Sequence, residues 1–247
     1  MIRRPALVLA ATAILAGGVA RAEDLDSLLA KNFEARGGRE RLEAIEAVRF
    51  TGTMSMGSGL TAPFVLEWKR PRHIRLEFTV QGLNGVQAFD GHTAWWILPF
   101  VGRTVPEKLT GSDRRSIEEM ADLFPLLDPD AKGTRLEYVG EDDADGTPAF
   151  KIKMTGSHGD ISYILLDATS FLQIRTTSTR QIGDRTVRIE GIMSDYRDID
   201  GVLVAHSVHQ SAGKSEQTIH IETVDLAASI PDRRFSMPRE EGATPSR

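Results

Sequence analysis

Two periodicities divide the chain. Between residues 24 and 36, Leu25, Leu28, Leu29 and Phe33 recur at the spacing of one helical face, with Asp24 or Asp26 placed to cap the start and Gly37-Gly38 to end it. A second short helix is predicted over residues 39 to 47, with Leu42 and Ile45 on one side. Helices this short are marginal alone and must lie on something. From Val48 the period becomes two. Phe64, Leu66 and Trp68 alternate with Val65, Glu67 and Lys69. After Arg70-Pro71, the residues Ile74, Leu76, Phe78 and Val80 alternate with His73, Arg75, Glu77 and Thr79. Such alternation marks strands with one buried face.

Further strand signals run over residues 87–90, 93–98, 135–139, 150–154, 161–167, 172–179, 186–193, 202–209 and 218–224. Turn residues separate them, among them Asp90-Gly91, Asp145-Gly146, Gly183-Asp184 and Asp200-Gly201. Residues 106 to 130 interrupt the series. There Ser112 or Asp113 is placed to cap a helix carrying Ile117, Met120, Ala121 and Phe124, which Pro125 and Pro129 then break. Phe100 to Pro106, just ahead of it, is expected to be a mobile lid edge. The predicted fold class is mainly β with a few helices. About ten antiparallel strands, joined as adjacent hairpins, curl into a barrel or half-barrel, and the helices are the material that covers its open mouth.

The N-terminus changes the setting. Arg3 and Arg4 precede an apolar run from Ala6 to Ala16, and Ala20-Arg21-Ala22 puts small residues where a signal peptidase reads them. That is the three-part layout of a secretory signal. The run falls short of the roughly 20 apolar residues of a membrane-spanning helix, and Gly17-Gly18 interrupts it. The expected division is a signal peptide over residues 1–22, a single domain over 23–238 and a polar, disordered tail over 239–247.

Charge and cysteine content narrow the functional classes. Removing Arg3, Arg4 and Arg21 from 30 basic residues leaves 27 against 35 acidic ones, a formal charge of −8 for the mature chain. A chain this acidic, with no basic run, is a poor match for nucleic acid or for an anionic lipid surface. Cysteine is absent, so there is no disulfide framework, thiolate nucleophile or thiolate metal site. Bacterial lipoproteins are acylated on a cysteine directly after the signal; Glu23 stands there instead. The mature protein is therefore expected to be soluble and untethered.

Catalytic constellations are not evident. His206 and His209 would point to opposite faces of one strand, and so do not chelate a metal together with His220. Gly57-Ser58-Gly59 reads as a turn and not as a nucleophile elbow. The acidic run Glu141-Asp142-Asp143 with Asp145 lacks the pattern of a calcium loop and reads as a solvated turn. No enzyme activity, metal or cofactor is predicted.

The order of several short motifs resembles a known family. Residues 34 to 38 read Glu-Ala-Arg-Gly-Gly, followed by Leu42, Ile45, Val48 and Gly52. Then come Glu67-Trp68-Lys69-Arg70-Pro71, Phe89-Asp90-Gly91 with Ala94-Trp95, Val139-Gly140, Asp195-Tyr196-Arg197, Asp200-Gly201-Val202 and Phe235-Ser236-Met237-Pro238. This order is similar to that of the outer-membrane lipoprotein-sorting proteins, relatives of the LolA and LolB lipoprotein carriers. The resemblance implies a half-open, strongly curved sheet with helices as a lid over an apolar cavity. It also implies lipid or lipoprotein acyl-chain handling in the periplasm.

Nine apolar positions are the candidate lining of that cavity: Phe64, Leu66, Trp68, Ile74, Leu76, Phe78, Trp96, Phe150 and Ile152. The same residues also fit a filled core. An acyl chain enclosed there would gain ~0.8 kcal/mol per buried methylene with no polar anchor. Of the adjacent pair Trp95-Trp96, Trp96 is expected to face inward, in phase with Ala94 and Leu98, leaving Trp95 exposed or under a helix. The expected partners are a lipid or lipoprotein acyl chain and an inner- or outer-membrane protein, with the carrier a monomer. The alternative is a periplasmic sensing or protein-interaction module on the same fold, without lipid transport.

Overall fold

The computed structural model describes residues 24–56, 59–182 and 185–238. The predicted signal peptide, the tail over residues 239–247 and the turn pairs Gly57-Ser58 and Gly183-Asp184 lie outside the described residues.

Two helices open the fold. α1 (Leu25–Ala35) is capped by Asp24, whose Oδ1 accepts from the Ser27 N–H at 2.8 Å. α2 (Arg39–Glu43) follows, and it is shorter than predicted because Ala47 already belongs to a strand. Gly37 does more than end α1. A Cβ at this position would stand 2.0 Å from the Gly201 carbonyl oxygen, and its φ is +111°. Only glycine lets the helix end dock so closely against another backbone.

Thirteen strands form one curved antiparallel sheet. β1 (Ala47–Met56), β2 (Thr61–Lys69), β3 (His73–Val80), β4 (Leu83–Asp90), β5 (Ala94–Leu98) and β6 (Arg103–Lys108) run outward as successive hairpins. The chain then crosses through α3 (Gly111–Met120) to the opposite edge. From there β7 (Arg135–Ala144), β8 (Thr147–Thr155), β9 (Ile161–Asp167) and β10 (Gln173–Ile182) return toward the start. β11 (Arg185–Ile199), β12 (Val202–Ala212) and β13 (Ser215–Asp225) complete the return, and β13 pairs with β1. β6 and β7 are the two edges and do not pair with each other, so the sheet is unclosed. The hairpin turns at Asp145-Gly146 and Asp200-Gly201 have positive φ at both residues, as their sequence predicts for the tight turn that matches strand twist.

The expected count of about ten strands is too low, and the segment expected to be a lid edge is one reason. Arg103–Lys108 is β6, a mostly exposed edge strand. It carries no two-residue alternation to read, and its Pro106 is tolerated because one side of an edge strand needs no hydrogen bonds. α3 also differs from expectation. It starts at Gly111, behind Thr110, and ends at Met120, so Phe124 lies beyond it in a turn.

Both faces of the sheet carry buried clusters. On the inner face, which carries the helices, one large core joins Leu28, Phe33 and Leu42 to Phe50, Phe64, Trp68, Phe150 and Ile152. Phe124, Leu126 and Leu127 plug the same core from the crossover. On the outer face, the stretch after β13 crosses back over the first strands. There Ala228, Ile230 and Phe235 bury Ala47, and Met237 packs on Val86, Ala88 and Trp95.

Candidate functional site

All nine candidate lining residues contribute to the inner-face cores. Phe64, Trp68, Phe78, Phe150 and Ile152 are buried in the large core, and Leu66, Leu76 and Trp96 are half-buried against it. Register accounts for this. Phe64 pairs with Phe78, Leu66 with Leu76 and Trp68 with Ile74 across β2–β3, so their side chains share one face. Ile152 pairs with Ile164 on the far side of the sheet. Ile74 is set apart in a second core with Phe89, Ala94, Ile117 and Ala121, beneath α3; Leu66 and Trp96 touch both cores.

Polar groups fix this face where it meets the crossover. The Trp68 indole N–H donates to the Ala121 carbonyl at 2.8 Å, and the ring meets Phe124 edge-on at 5.5 Å. Arg70 donates to the Ile45 and Leu42 carbonyls, tying the end of α2 to β2. On the far side, Phe150 and Phe171 stack at 5.8 Å, and Lys31 of α1 lies 4.8 Å over the Phe171 ring.

α3 spans the two halves of the sheet. Its Ile117 is buried on β3–β5, and the Glu118 carbonyl accepts from Arg72. From β10, Arg180 reaches across to the Ser116 hydroxyl and the Glu119 carboxylate. Burial pushes the Glu119 carboxyl above its usual range; Arg180 opposes the shift and the Asp160 charge adds to it.

Trp96 faces inward as expected, with its indole N–H 3.3 Å from the Glu107 carboxylate and Arg103 4.8 Å over its ring. Trp95 is not exposed, and what covers it is the C-terminal segment with its single 3-10 turn, Asp232–Arg234. It is fully buried on the outer face, donating to the Phe235 carbonyl at 2.8 Å. The C-terminal segment that covers it has no periodic pattern, which is why strand and helix signals miss it. His206 and His209 have separate partners: His206 is buried with Nδ1 2.9 Å from the Val204 carbonyl, and His209 Nδ1 lies 3.1 Å from the Thr218 hydroxyl. Asp142, Asp143 and Asp145 serve the β7–β8 hairpin, bound by Lys151, the Gly146 N–H and Arg175 respectively.

Among the described residues, two surface grooves stand out, and none of the nine residues lines either. One, of about 480 Å³, runs beside α1 past Leu29, Phe33 and Arg39. The other, of about 540 Å³, lies over β8–β11 and is lined by Lys151, Tyr163, Arg175 and Arg188. Among the described residues, no helix is long and apolar enough to cross a membrane.

An unclosed, highly curved antiparallel sheet with helices packed on one face defines a recognisable class of fold. No family model matches the chain, and no characterised protein matches it by sequence. Solved structures do match. The chain is similar to a DUF1329 family protein from Desulfovibrio piger, with a TM-score of 0.62 and 13% identity over 87% of this chain and 98% of that one. It is similar to a LolA superfamily protein from Nitrosomonas europaea, with a TM-score of 0.59 and 11% identity over 87% and 98% of the two chains. A putative outer membrane lipoprotein-sorting protein domain from Vibrio parahaemolyticus gives a TM-score of 0.53 and 14% identity over 84% and 97%. The fold is thus the one the sequence motifs resemble. At these identities the likeness is one of fold.

Proposed function

We propose that this protein is a soluble periplasmic carrier that encloses the acyl chain of a lipid or lipoprotein between its helices and the inner face of its sheet. The supporting observation is the make-up of that face. Half-buried Leu66, Leu76 and Trp96 continue outward from the buried core, and the groups that cover them belong to the short helices and the crossover, not to the sheet. In the present arrangement Leu28, Phe33 and Phe124 occupy the inner face. A chain would enter by displacing them and would replace their apolar contacts with its own. The helices and crossover are then the lid, and Phe64, Trp68, Ile74, Phe78, Phe150 and Ile152 become lining when it lifts. Non-directional contacts also allow release, which a carrier requires. The acidic mature chain and the Glu23 position fit a diffusing envelope protein.

The test is to purify the mature protein, identify co-purified lipid by mass spectrometry and titrate an acyl-chain fluorophore. Leu76→Ala should weaken fluorophore binding several-fold while the thermal transition stays cooperative. A folded protein that yields no lipid and binds no fluorophore would overturn the reading.

A further inference from the structure

The inner side of α1 carries two polar atoms that the protein itself does not satisfy. Arg36, at the C-terminal end of α1, has its Nε shut off from solvent and from any acceptor. One turn earlier, Asn32 is 1% exposed; its amide N–H₂ donates to the Phe171 carbonyl at 2.7 Å, which leaves Oδ1 buried and unbonded. Residues four apart on a helix share a face, so the orphan donor and the orphan acceptor belong to the same side of α1, one turn apart.

The charge is the harder part to account for. Among the described residues no carboxylate pairs with Arg36. Its neighbours are the Phe124 ring, 5.4 Å from the guanidinium carbon, and the phenol of Tyr196, which is itself committed to the Gln173 carbonyl at 2.6 Å. Every other arginine that packs on this part of the core has polar partners. Arg70, on the same Phe124 ring, bonds two carbonyls, and Arg39 pairs with Glu43 and Asp128. The negative end of α1 and the Phe124 face offset part of the cost of holding Arg36 in place. A bridging water would satisfy both orphan atoms, but it would leave the charge unbalanced. Burial accordingly pulls the Arg36 guanidinium below its ordinary value.

We propose that Arg36 is the anion subsite of the acyl-chain site: it takes the carboxylate or phosphate of an anionic amphiphile, with Asn32 Oδ1 accepting from a hydroxyl of the same headgroup. This rests on the acyl-chain reading above and adds the class of ligand to it. The apolar tail would lie on the inner face, where Val204, Ile219 and Ile221 are half-buried against the core. An amphiphile seated this way supplies the missing counter-charge and the missing apolar contacts together.

The experiment compares a fluorescent C11 to C16 fatty acid with its methyl ester, using the folded mature protein with wild-type Arg36, Arg36→Met and Arg36→Lys. A charge-assisted hydrogen bond in a buried setting corresponds to roughly tenfold or more in affinity. Wild type should therefore bind the acid about tenfold more tightly than the ester. Arg36→Met should bind both equally, and Arg36→Lys should keep most of the preference. Inorganic phosphate at millimolar concentration should not displace the acid. Equal binding of acid and ester by wild type, or an undiminished preference in Arg36→Met, overturns the anion subsite and leaves the acyl-chain reading standing. Displacement by phosphate alone makes this a free-anion site and overturns the amphiphile assignment. Failure of both probes to bind overturns the carrier reading itself. Should Arg36→Met not fold, the wild-type and Arg36→Lys comparisons still decide.

Discussion

The two halves of the sheet bury their outer faces in different ways. On β1–β5 the outer face is roofed by the C-terminal segment; on β7–β11 it has no such cover and holds a small buried cluster of Ala144, Ala149 and Leu165 beside a groove. The side chains differ to match. The first half presents Val86, Ala88 and Trp95 outward, with Glu67 buried and paired with Arg49 and Arg234. The second half presents half-buried Lys151, Tyr163 and Thr177 and the largely buried Arg175, which pairs with Asp145 and Glu190. The C-terminal segment, a strap across the first strands, is held by direction-specific bonds: Arg234 reaches Glu67 and Glu77 at 2.9 Å each, Lys69 reaches Asp232 at 2.5 Å, and Arg75 donates to the Arg234 carbonyl. A sheet with two coated faces cannot be judged by alternation alone, because the outward residues of β4 and β5 are apolar too.

The largest effect should come from the strap. Phe235→Ala removes a fully buried ring, and the expected loss is about 3 to 4 kcal/mol of unfolding free energy. Chemical denaturation measures it; a loss below about 1 kcal/mol would mean that the strap is an accessory and that the first half stands without it.

A smaller effect should separate the halves by pH. Burial raises the Glu77 carboxyl, but the hydrogen bonds and charges of Arg75 and Arg234 outweigh it and hold the group below the usual carboxylate range. A depressed folded value means a contribution that is complete above the unfolded value and is lost as pH falls through the folded one. Since Glu77 is partly open to water, screening limits its share to about 1 kcal/mol. Glu77→Gln should flatten the acid side of the stability profile, and an unchanged acid slope would remove this ion network from the account.

The smallest effect on stability should accompany a clear local one. α3 is fixed to the first half by the Ile117 contacts and the Arg72 and Trp68 bonds, but to the second half by Arg180 at a partly exposed ion pair. Arg180→Ala should therefore cost no more than about 1 kcal/mol. It should also speed amide exchange in α3 and the following turn without altering β3–β5. Equal acceleration in β3–β5 would mean that α3 is not hinged on one side.

Much of this was legible in the residues themselves. The positions Phe64, Leu66 and Trp68, and Ile74, Leu76 and Phe78, fix one face and the register between two strands, because side chains alternate at every residue. Asp24 and Gly37-Gly38 bound α1, and the Asp-Gly pairs fix tight hairpins, because each has a local backbone requirement. The motif order places the chain in the right fold for the same reason: it samples turns and caps that recur at set points along the strands. Local patterning did not reach β6, where an edge strand lacks alternation, or the helix end at Met120, where Phe124 keeps the apolar period beyond the last helical turn.

What only the tertiary structure decided are the contacts between parts remote in the chain. Phe235 meets Trp95 across 140 positions and Arg180 meets Glu119 across 61. Arg36 reads as part of a helix terminator in the sequence, and its significance lies in the counter-ion that no remote segment brings to it. The sequence by itself determined the strand faces and the hairpins, since these depend on neighbours a few residues away. Which face is roofed and which half-buried charge is left without a carboxylate depend on chain closure, since long-range packing decides which groups lose water together.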